Sequence, residues 1–294
     1  MLRQDRIHSW LIGLLFLVVT AALPARAQVD LAGEWNDYPS SEGEPHIGEY
    51  MSVPLNDAAR MRGDTWSAEK WTMVEHQCEP HPSDYGPRGP SRMRVWADVD
   101  SLSQAAVAWH TVLSYQTPER TIYMDGRPHP PEWEHHTWQG FSTGEWVADM
   151  LKITTTHMKE GWIRRNGLAR SSKATMTEYL IRHENYMTRV TMVEDPVYLT
   201  EPWVLTSHYV LDLGRQLSPN YCIYSQEIEH EKGWVAHYLP GKNPWLTEYS
   251  EKSGIPLPAV RGGAETMYQE YQNKLAKMPL PVAKPENKAS GGGQ

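Results

Sequence analysis

The sequence predicts an all-β protein, an antiparallel β barrel with one amphipathic helix near its C-terminus. Short β-prone runs follow one another, separated by turn dipeptides and by no long helical segment. The clearest pair is Met176–His183 and Tyr186–Glu194, joined by Glu184-Asn185, where Asn185 tolerates the positive φ that such a turn needs. Helical periodicity is convincing only over Ala264–Lys277. Together these observations favour an all-β antiparallel arrangement, a barrel or sandwich, over an α/β fold.

Residues 1–27 have the features of a secretory signal peptide. Arg3 and Arg6 precede the apolar run Leu11–Leu23, and Ala25-Arg26-Ala27 forms a cleavage site. The apolar run is shorter than the roughly 20 residues that span a bilayer. We therefore expect a mature N-terminus at Gln28 and a periplasmic or secreted bacterial protein without an integral membrane segment.

The expected mature chain has one domain, residues 28–278, followed by a tail, residues 279–294. The tail is rich in Pro, Lys, Ser and Gly and is expected to be disordered. The full chain has a formal charge of -8, which argues against nucleic acid and anionic membranes as partners. The sequence does not indicate the oligomeric state.

The aromatic and cysteine content leaves two alternatives open in each case. The chain has 13 Trp and 15 Tyr but only 2 Phe, which suits either a packed core or a pocket for a planar or sugar-like ligand. Cys78 and Cys222 are the 2 cysteines. In an oxidising compartment they form either one disulfide or two buried thiols.

The first half of the mature chain is predicted to contain a strand, an irregular stretch and a strand pair. The first strand follows Gly33, and residues 36–92 are irregular. Two short helices are expected within them, over Ala58–Met61 and Ser67–His76. Arg92–Val99 and Ala105–Tyr115 then have the composition of strands.

The central stretch, residues 121–166, is predicted to form an antiparallel meander. Thr121–Met124 is β-prone and ends at the turn Asp125-Gly126, and the proline-rich residues 127–131 exclude a helix. Thr137–Ser142 is expected to be a strand that places Trp138, Gly140 and Ser142 on one face, continued by His136. The other expected elements are a turn at Thr143-Gly144, a strand over Glu145–Val147, a reversal at Ala148-Asp149 and a strand over Leu151–His157.

The last third continues the strand pattern before the helix. Val197–Leu199 and Trp203–Leu213 are expected to be strands. The helix over Ala264–Lys277 is expected to pack across the sheet with one apolar face, made of Ala264, Met267, Tyr268, Tyr271, Leu275 and Met278.

Several motifs carry a resemblance to known families. Gly33-Glu34-Trp35 resembles the lipocalin signature, in which the Trp packs across the base of the barrel. The run Ile122–Pro130 and the Trp138–Thr156 segment resemble a large family of secreted bacterial proteins of uncharacterised activity with a lipocalin-like β-rich body. The resemblance implies a lipocalin-like barrel over most of the chain from Cys78 onwards. The chain departs from the family pattern at residues 147–150.

The candidate site residues are histidines, arginines and tryptophans of the central stretch. A His beside a carboxylate can act as a general base, and an Arg can hold an oxyanion. The predicted catalytic residues are His136, His157 and Arg165. The predicted ligand-binding residues are Arg127, His129, Trp138, Trp146, Trp162 and Arg164. His129, His136, His157, Arg127 and Arg165 are expected to point towards one cavity at a barrel mouth, walled by some of Trp138, Trp146 and Trp162.

No metal or other cofactor is expected. His129, His136 and His157 could converge as metal ligands, but no pair has a diagnostic spacing such as H-E-x-x-H. Gly140–Gly144 matches G-x-S-x-G by letters alone, because strand-like residues follow it where the nucleophile elbow requires a helix.

The sequence supports three functional hypotheses. The first is that the chain binds a small aromatic or hydrophobic molecule in a Trp/Tyr-lined cavity. An extension of this hypothesis is that the chain also transforms the bound molecule. The second is a periplasmic lyase, isomerase or hydrolase that uses His and Arg. The third is an accessory subunit of an envelope complex, which would need an exposed apolar face.

Overall fold

The computed structural model describes residues 29–38, 45–85, 92–113, 119–217 and 229–281. The predicted signal peptide, Cys222 and nearly all of the predicted tail lie outside these ranges. Leu31–Gln294 forms one compact unit, and only Val29 and Asp30 are described of the other, Met1–Asp30. No helix within the described ranges is long and apolar enough to cross a membrane.

The compact unit is built on a closed barrel of nine strands. The barrel strands are β1 (Gly33–Asp37), β2 (Met93–Val99), β3 (Ala106–Leu113), β4 (Arg120–Tyr123), β5 (Phe141–Val147), β6 (Met150–Thr156), β9 (Thr175–His183), β10 (Tyr186–Glu194) and β11 (Trp203–Leu211). Their order around the barrel is β1-β11-β10-β9-β6-β5-β4-β3-β2. A separate hairpin consists of β7 (Gly161–Arg164) and β8 (Leu168–Arg170). The prediction of a mainly β protein with a barrel is confirmed, whereas a lipocalin identity stays a prediction.

Short helices lie in the long β1–β2 connection and after β11. The connection carries α1 (Asp57–Thr65), a 3-10 helix (Ala68–Thr72) and α2 (Val74–Gln77). The C-terminal part carries α3 (Glu248–Ser253), α4 (Leu257–Val260), a 3-10 helix (Ala264–Met267) and α5 (Gln269–Leu275). The helix predicted over Ala58–Met61 is therefore confirmed with longer bounds. The one predicted over Ser67–His76 is two short helices, separated by the extended backbone of Met73.

The long hairpin of the later chain is confirmed, with one correction. β9 and β10 pair along their whole length, from Tyr186 opposite His183 to Glu194 opposite Thr175. The left-handed residue of the turn is Glu184, with φ 54°, and not the predicted Asn185. The reversal at Ala148-Asp149 is also confirmed, with φ 57° at Ala148.

The predicted antiparallel meander is wrong at the β4–β5 step. These strands pair in parallel, with Ile122 opposite Ser142, because the proline-rich segment between them returns the chain to the end where β4 began. The prediction of a turn at Thr143-Gly144 is also wrong. Gly144 lies within β5, and a Cβ there would meet Met124 Sδ at 2.6 Å, so this glycine permits close packing.

The predicted strand over Thr137–Ser142 begins only at Phe141. Gly140 has φ 68°, a left-handed conformation that separates the turn before it from β5. As a result, Trp138 and Ser142 do not share a face: Ser142 is fully buried, whereas Trp138 is partly exposed and precedes the strand. Val197–Leu199 is a turn instead of a strand, and Leu199 contributes one isolated bridge to Leu55.

The predicted C-terminal amphipathic helix is replaced by two short segments. Tyr268 has extended backbone angles and interrupts the helical path between them. Met267 and Tyr268 are exposed, and α5 has no buried residue. The periodic apolar pattern therefore does not form one continuous helical face.

The barrel interior combines an apolar layer with buried charges. Trp35 is almost fully buried and donates from Nε1 to the Leu31 carbonyl at 3.0 Å. Deeper in the barrel, the Glu178 carboxylate is paired with two guanidiniums, those of Arg120 and Arg189. A second buried pair, Arg170 with Asp84, reaches from β8 to the β1–β2 connection.

Candidate functional site

The three predicted histidines lie together on the outside of the barrel and fasten the proline-rich segment. His129 contacts the hydroxyls of Thr156 at 2.7 Å and Thr143 at 2.9 Å, both on the outer face of β5 and β6. The Nε2 of His157 lies 2.9 Å from the Pro131 carbonyl oxygen. The His136 and His157 rings are 5.1 Å apart. These contacts position a loop, and His136 and His157 do not line either of the cavities described below.

Arg127 and Trp146 are separate from this histidine group. Arg127 forms an exposed ion pair with Asp125 at 2.6 Å, and its guanidinium lies 3.8 Å from the centre of the Tyr123 ring. The hydrogen bond from Arg127 lowers the pKa of Asp125 to about 2. Trp146 lies on the inner side of β5, on the same face as Ser142. Its indole Nε1 is buried and is not hydrogen-bonded to any described residue.

Arg164 lines a cavity of about 420 Å³, which contains none of the other predicted site residues. Its guanidinium donates to the Met51 carbonyl at 3.2 Å and to Ser52 Oγ at 3.2 Å. His46 and Tyr249 stack at 4.4 Å beside it. Arg164 therefore joins the β7–β8 hairpin to the β1–β2 connection, and it is apart from the other predicted residues.

Three predicted residues do come together, in a cleft of about 170 Å³ outside the barrel. Trp138, Trp162 and Arg165 line this cleft, which we call the tryptophan cleft. Its remaining lining residues are Trp71, His76, Gln77, Glu79, Pro80, His81, Pro82, Glu160 and Gly161. The cleft is thus formed by three parts of the chain: the segment between β4 and β5, which carries Trp138, the β7–β8 hairpin, and the β1–β2 connection.

Local structure explains how Trp71 and Trp162 reach this cleft. The 3-10 helix that carries Trp71 is capped by Ser67, whose Oγ accepts a hydrogen bond from the Glu69 amide at 3.3 Å. In β7 the side chains alternate, so Ile163 is fully buried in the core while Trp162 is partly exposed to the cleft. The core packing of Ile163 therefore fixes the orientation of the hairpin.

Three indoles pack against one another at one wall of the cleft. Trp66, Trp71 and Trp162 have ring centres between 5.9 and 6.4 Å apart, in tilted and edge-to-face arrangements. Trp71 Nε1 also donates to the Arg165 carbonyl at 3.4 Å. A Cβ at Gly167, which has φ 96°, would lie 2.4 Å from Trp66 Cβ. The wall is thus held by the hairpin turn as well as by ring packing.

The opposite part of the cleft carries two histidines on a constrained segment. His76 Nδ1 lies 2.6 Å from Glu79 Oε2. The His81 ring stacks on Tyr85 at 3.9 Å, and the His81 carbonyl accepts a hydrogen bond from Gln139 at 2.8 Å. Cys78, between the two histidines, is disulfide-bonded. The only other cysteine in the sequence is Cys222, which lies outside the described residues.

A cation lies over each of three indoles of the cleft. Lys70 Nζ is 4.9 Å from the centre of the Trp162 ring, Lys159 Nζ is 5.1 Å from that of Trp138, and the Arg165 guanidinium is 5.0 Å from that of Trp71. Partial burial lowers the pKa of the Lys70 ammonium below its ordinary value.

The part of the cleft that lies before β2 is not predicted by the sequence patterns above. Trp71, His76 and His81 are absent from the predicted site, because residues 36–92 have the composition of irregular connecting chain. A signal is nevertheless present: Trp66, Trp71, His76 and His81 recur at five-residue intervals around Cys78, between helix-forming and proline-rich residues. In the parts of the chain that the structure describes, no group of three His, Cys, Asp or Glu side chains is arranged to hold a metal ion.

Comparison of the chain with protein-family models, with curated proteins and with solved structures finds no match.

Proposed function

We propose that this protein binds a small organic molecule with an aromatic or hydrophobic ring in the tryptophan cleft. The observation that carries this proposal is the convergence of three indoles, Trp71, Trp138 and Trp162, on one cleft from three separate segments of the chain. Large aromatic faces beside a few polar groups are the usual composition of small-molecule sites.

The size of the cleft supports a ring-sized ligand. Its volume is about 170 Å³, and a cavity of about 150 Å³ is sufficient to hold benzene in an engineered protein. Tryptophan faces favour planar rings, because offset stacking adds about 0.5–1.5 kcal/mol per pair beyond the area that is buried. We therefore propose that one ring system of the ligand enters the cleft and that any further part of it extends along the surface.

A second candidate function is catalysis by His76. The observation that favours it is the 2.6 Å contact between His76 Nδ1 and Glu79 Oε2 inside the cleft. A carboxylate on one ring nitrogen orients an imidazole so that the other nitrogen can accept a proton from a ligand. Arg165, which also lines the cleft, could then stabilise an oxyanion. Formation of a product, and not binding alone, distinguishes this candidate.

We also propose that the barrel is lipocalin-like and that the protein is exported, with cleavage after Ala27. The barrel proposal is supported by Trp35, which lies buried inside the barrel with the Arg182 guanidinium 5.4 Å from its ring centre. The export proposal is supported by the sequence of residues 1–27 and by the bonded state of Cys78.

The binding proposal is tested by two tryptophan variants from the same segment. Trp138→Ala removes one wall of the cleft, whereas Trp133→Ala removes a side chain that is 82% exposed and does not line it. The fluorescent aromatic probe 8-anilino-1-naphthalenesulfonate is titrated into each protein. Loss of about 1.4 kcal/mol of ring contact should weaken binding about tenfold in Trp138→Ala and leave Trp133→Ala like the wild type. Equal affinities in all three proteins would exclude the cleft as the site.

A further inference from the structure

We propose that the ligand of the tryptophan cleft is an anion, an aromatic ring that carries a carboxylate, sulfonate or comparable oxyanion. The inference rests on the proposed binding function and adds the charge of the ligand to it. It follows from the three cations that flank the indoles of the cleft and from the pairing of the acidic groups beside them.

The carboxylates of the cleft already have cationic or histidine partners. Glu160 is paired with the Arg62 guanidinium, and Glu79 lies 2.6 Å from the His76 ring. Lys70 and Lys159, whose ammonium groups lie over two indoles of the cleft, belong to neither of these pairs. They are local positive charges in a chain whose formal charge is -8.

Lys70 and Lys159 are not held in an ion pair with a described carboxylate, although Glu79 and Glu160 attract Lys70 electrostatically. The ammonium groups of Lys70 and Lys159 contact indole faces at 4.9 and 5.1 Å, and neither forms an ion pair with a described residue. An ammonium over a ring keeps its hydrogen-bond donors available on the side away from the ring. Partial burial also lowers the pKa of Lys70, which means that the charged form has lost hydration that an oxyanion could replace.

The same geometry favours a small anion over a polyanion. A nucleic acid would meet the negative charge of the whole chain, whereas a single oxyanion meets only the local cluster of cations. The ring of the ligand would occupy the space between the indoles. Its oxyanion would lie beside Lys70 or Lys159, whose ammonium groups lie over two of those indoles. Each positive charge would then contact both an aromatic face and the ligand.

The test compares two probes of the same shape and different charge. 8-Anilino-1-naphthalenesulfonate is an anion, and N-phenyl-1-naphthylamine is its neutral counterpart. We expect the anionic probe to bind on the order of tenfold more tightly, because charge-assisted hydrogen bonds are stronger than neutral ones. Raising the salt concentration from about 0.02 M to about 0.5 M should weaken only the anionic probe, since salt screens exposed charges.

Lysine variants locate the effect. Lys70→Met and Lys159→Met should each reduce the affinity for the anionic probe several-fold and leave that for the neutral probe unchanged. Lys173→Met is the control, because Lys173 is exposed, pairs with Glu132 and, unlike Lys70 and Lys159, does not lie over an indole of the cleft. Lys159 is itself exposed, so its variant should fold even if Lys70→Met does not.

The possible outcomes separate this inference from the proposed function. Equal affinities for the two probes, both lost in Trp138→Ala, would overturn the anion inference and leave the binding proposal intact. A preference for the anionic probe that persists in both lysine variants would also overturn it. Failure of both probes to bind the wild-type protein would contradict the binding proposal itself.

Discussion

Replacing Glu178 by Gln should destabilise the barrel strongly. The Glu178 side chain is fully buried, and its carboxylate faces the guanidiniums of Arg120 and Arg189, which are 4% and 3% exposed. Removing one member of a buried ion pair costs about 3–5 kcal/mol, because the remaining charge is left without compensation in a low dielectric. Here two guanidiniums would lose their shared counter-ion, so the upper part of this range is expected.

The expected loss can be measured as a change in unfolding. For a domain of this size, each kcal/mol lowers the melting temperature by roughly 2–4 °C, so Glu178→Gln should lower it by about 10–20 °C. Urea denaturation should show a lower midpoint with an unchanged slope. Burial alone would raise the pKa of Glu178, but Arg120 and then Arg189 outweigh burial and hold the pKa below its ordinary value. Stability from this group is therefore present above about pH 4.3 and is lost as the pH falls below that value.

The matched control is Glu145→Gln. Glu145 pairs with Lys152 at 2.7 Å on the barrel surface, where an ion pair contributes at most about 1 kcal/mol. If Glu178→Gln costs no more than Glu145→Gln, the buried charges are not an electrostatic unit and the reasoning fails. Replacing all three buried residues, Arg120, Glu178 and Arg189, by apolar ones should cost less than the single change, because no charge is then left unpaired.

Two further predictions concern histidines. Partial burial, together with the nearby His157, lowers the pKa of His129, so the unfolded chain binds a proton at a higher pH than the folded protein does. The free energy of unfolding, and the protection of the proline-rich segment from proteolysis, should therefore decrease as the pH falls below about 6.5. This pH dependence should be weaker in His129→Gln. An identical pH profile in the variant would refute the role of His129 in holding this segment. If the cleft is catalytic, His76→Asn should abolish product formation, because the variant has no imidazole to act as the base. Its affinity for 8-anilino-1-naphthalenesulfonate should stay within about twofold of that of the wild type. Unchanged turnover in the variant would exclude His76 as the base.

The strands whose pattern is local are predictable from the sequence. β6, β9 and β10 alternate buried and partly exposed side chains along most of their length, so the order of their residues already carries a period of two. The parallel β4–β5 pair cannot be predicted in this way, because the direction of β5 is set by the path of residues 124–140 and not by the strand sequences. The predicted C-terminal helix has a helical apolar period, and yet the backbone is extended at Tyr268, which the period does not indicate.

The candidate site is predictable only in part, for the same reason. Trp138, Trp162 and Arg165 are predicted to lie together, and they line one cleft. Their partners Trp71 and His76 come from a connection some 60 to 95 residues earlier, and no local pattern indicates such a contact. The histidines 129, 136 and 157 are correctly expected to be close, but their hydrogen bonds fasten a loop.

The central claim, that the tryptophan cleft is a ligand site, is tested most directly by photoaffinity labelling. An aromatic carboxylate that carries a diazirine would be cross-linked to the full-length protein, and the labelled residues mapped by peptide mass spectrometry. We predict labels within residues 71–82, at Trp138 and within residues 160–165, all suppressed by an excess of 8-anilino-1-naphthalenesulfonate. Labels confined to the barrel interior, for example at Trp146, or labels that the competitor does not suppress, would contradict the claim.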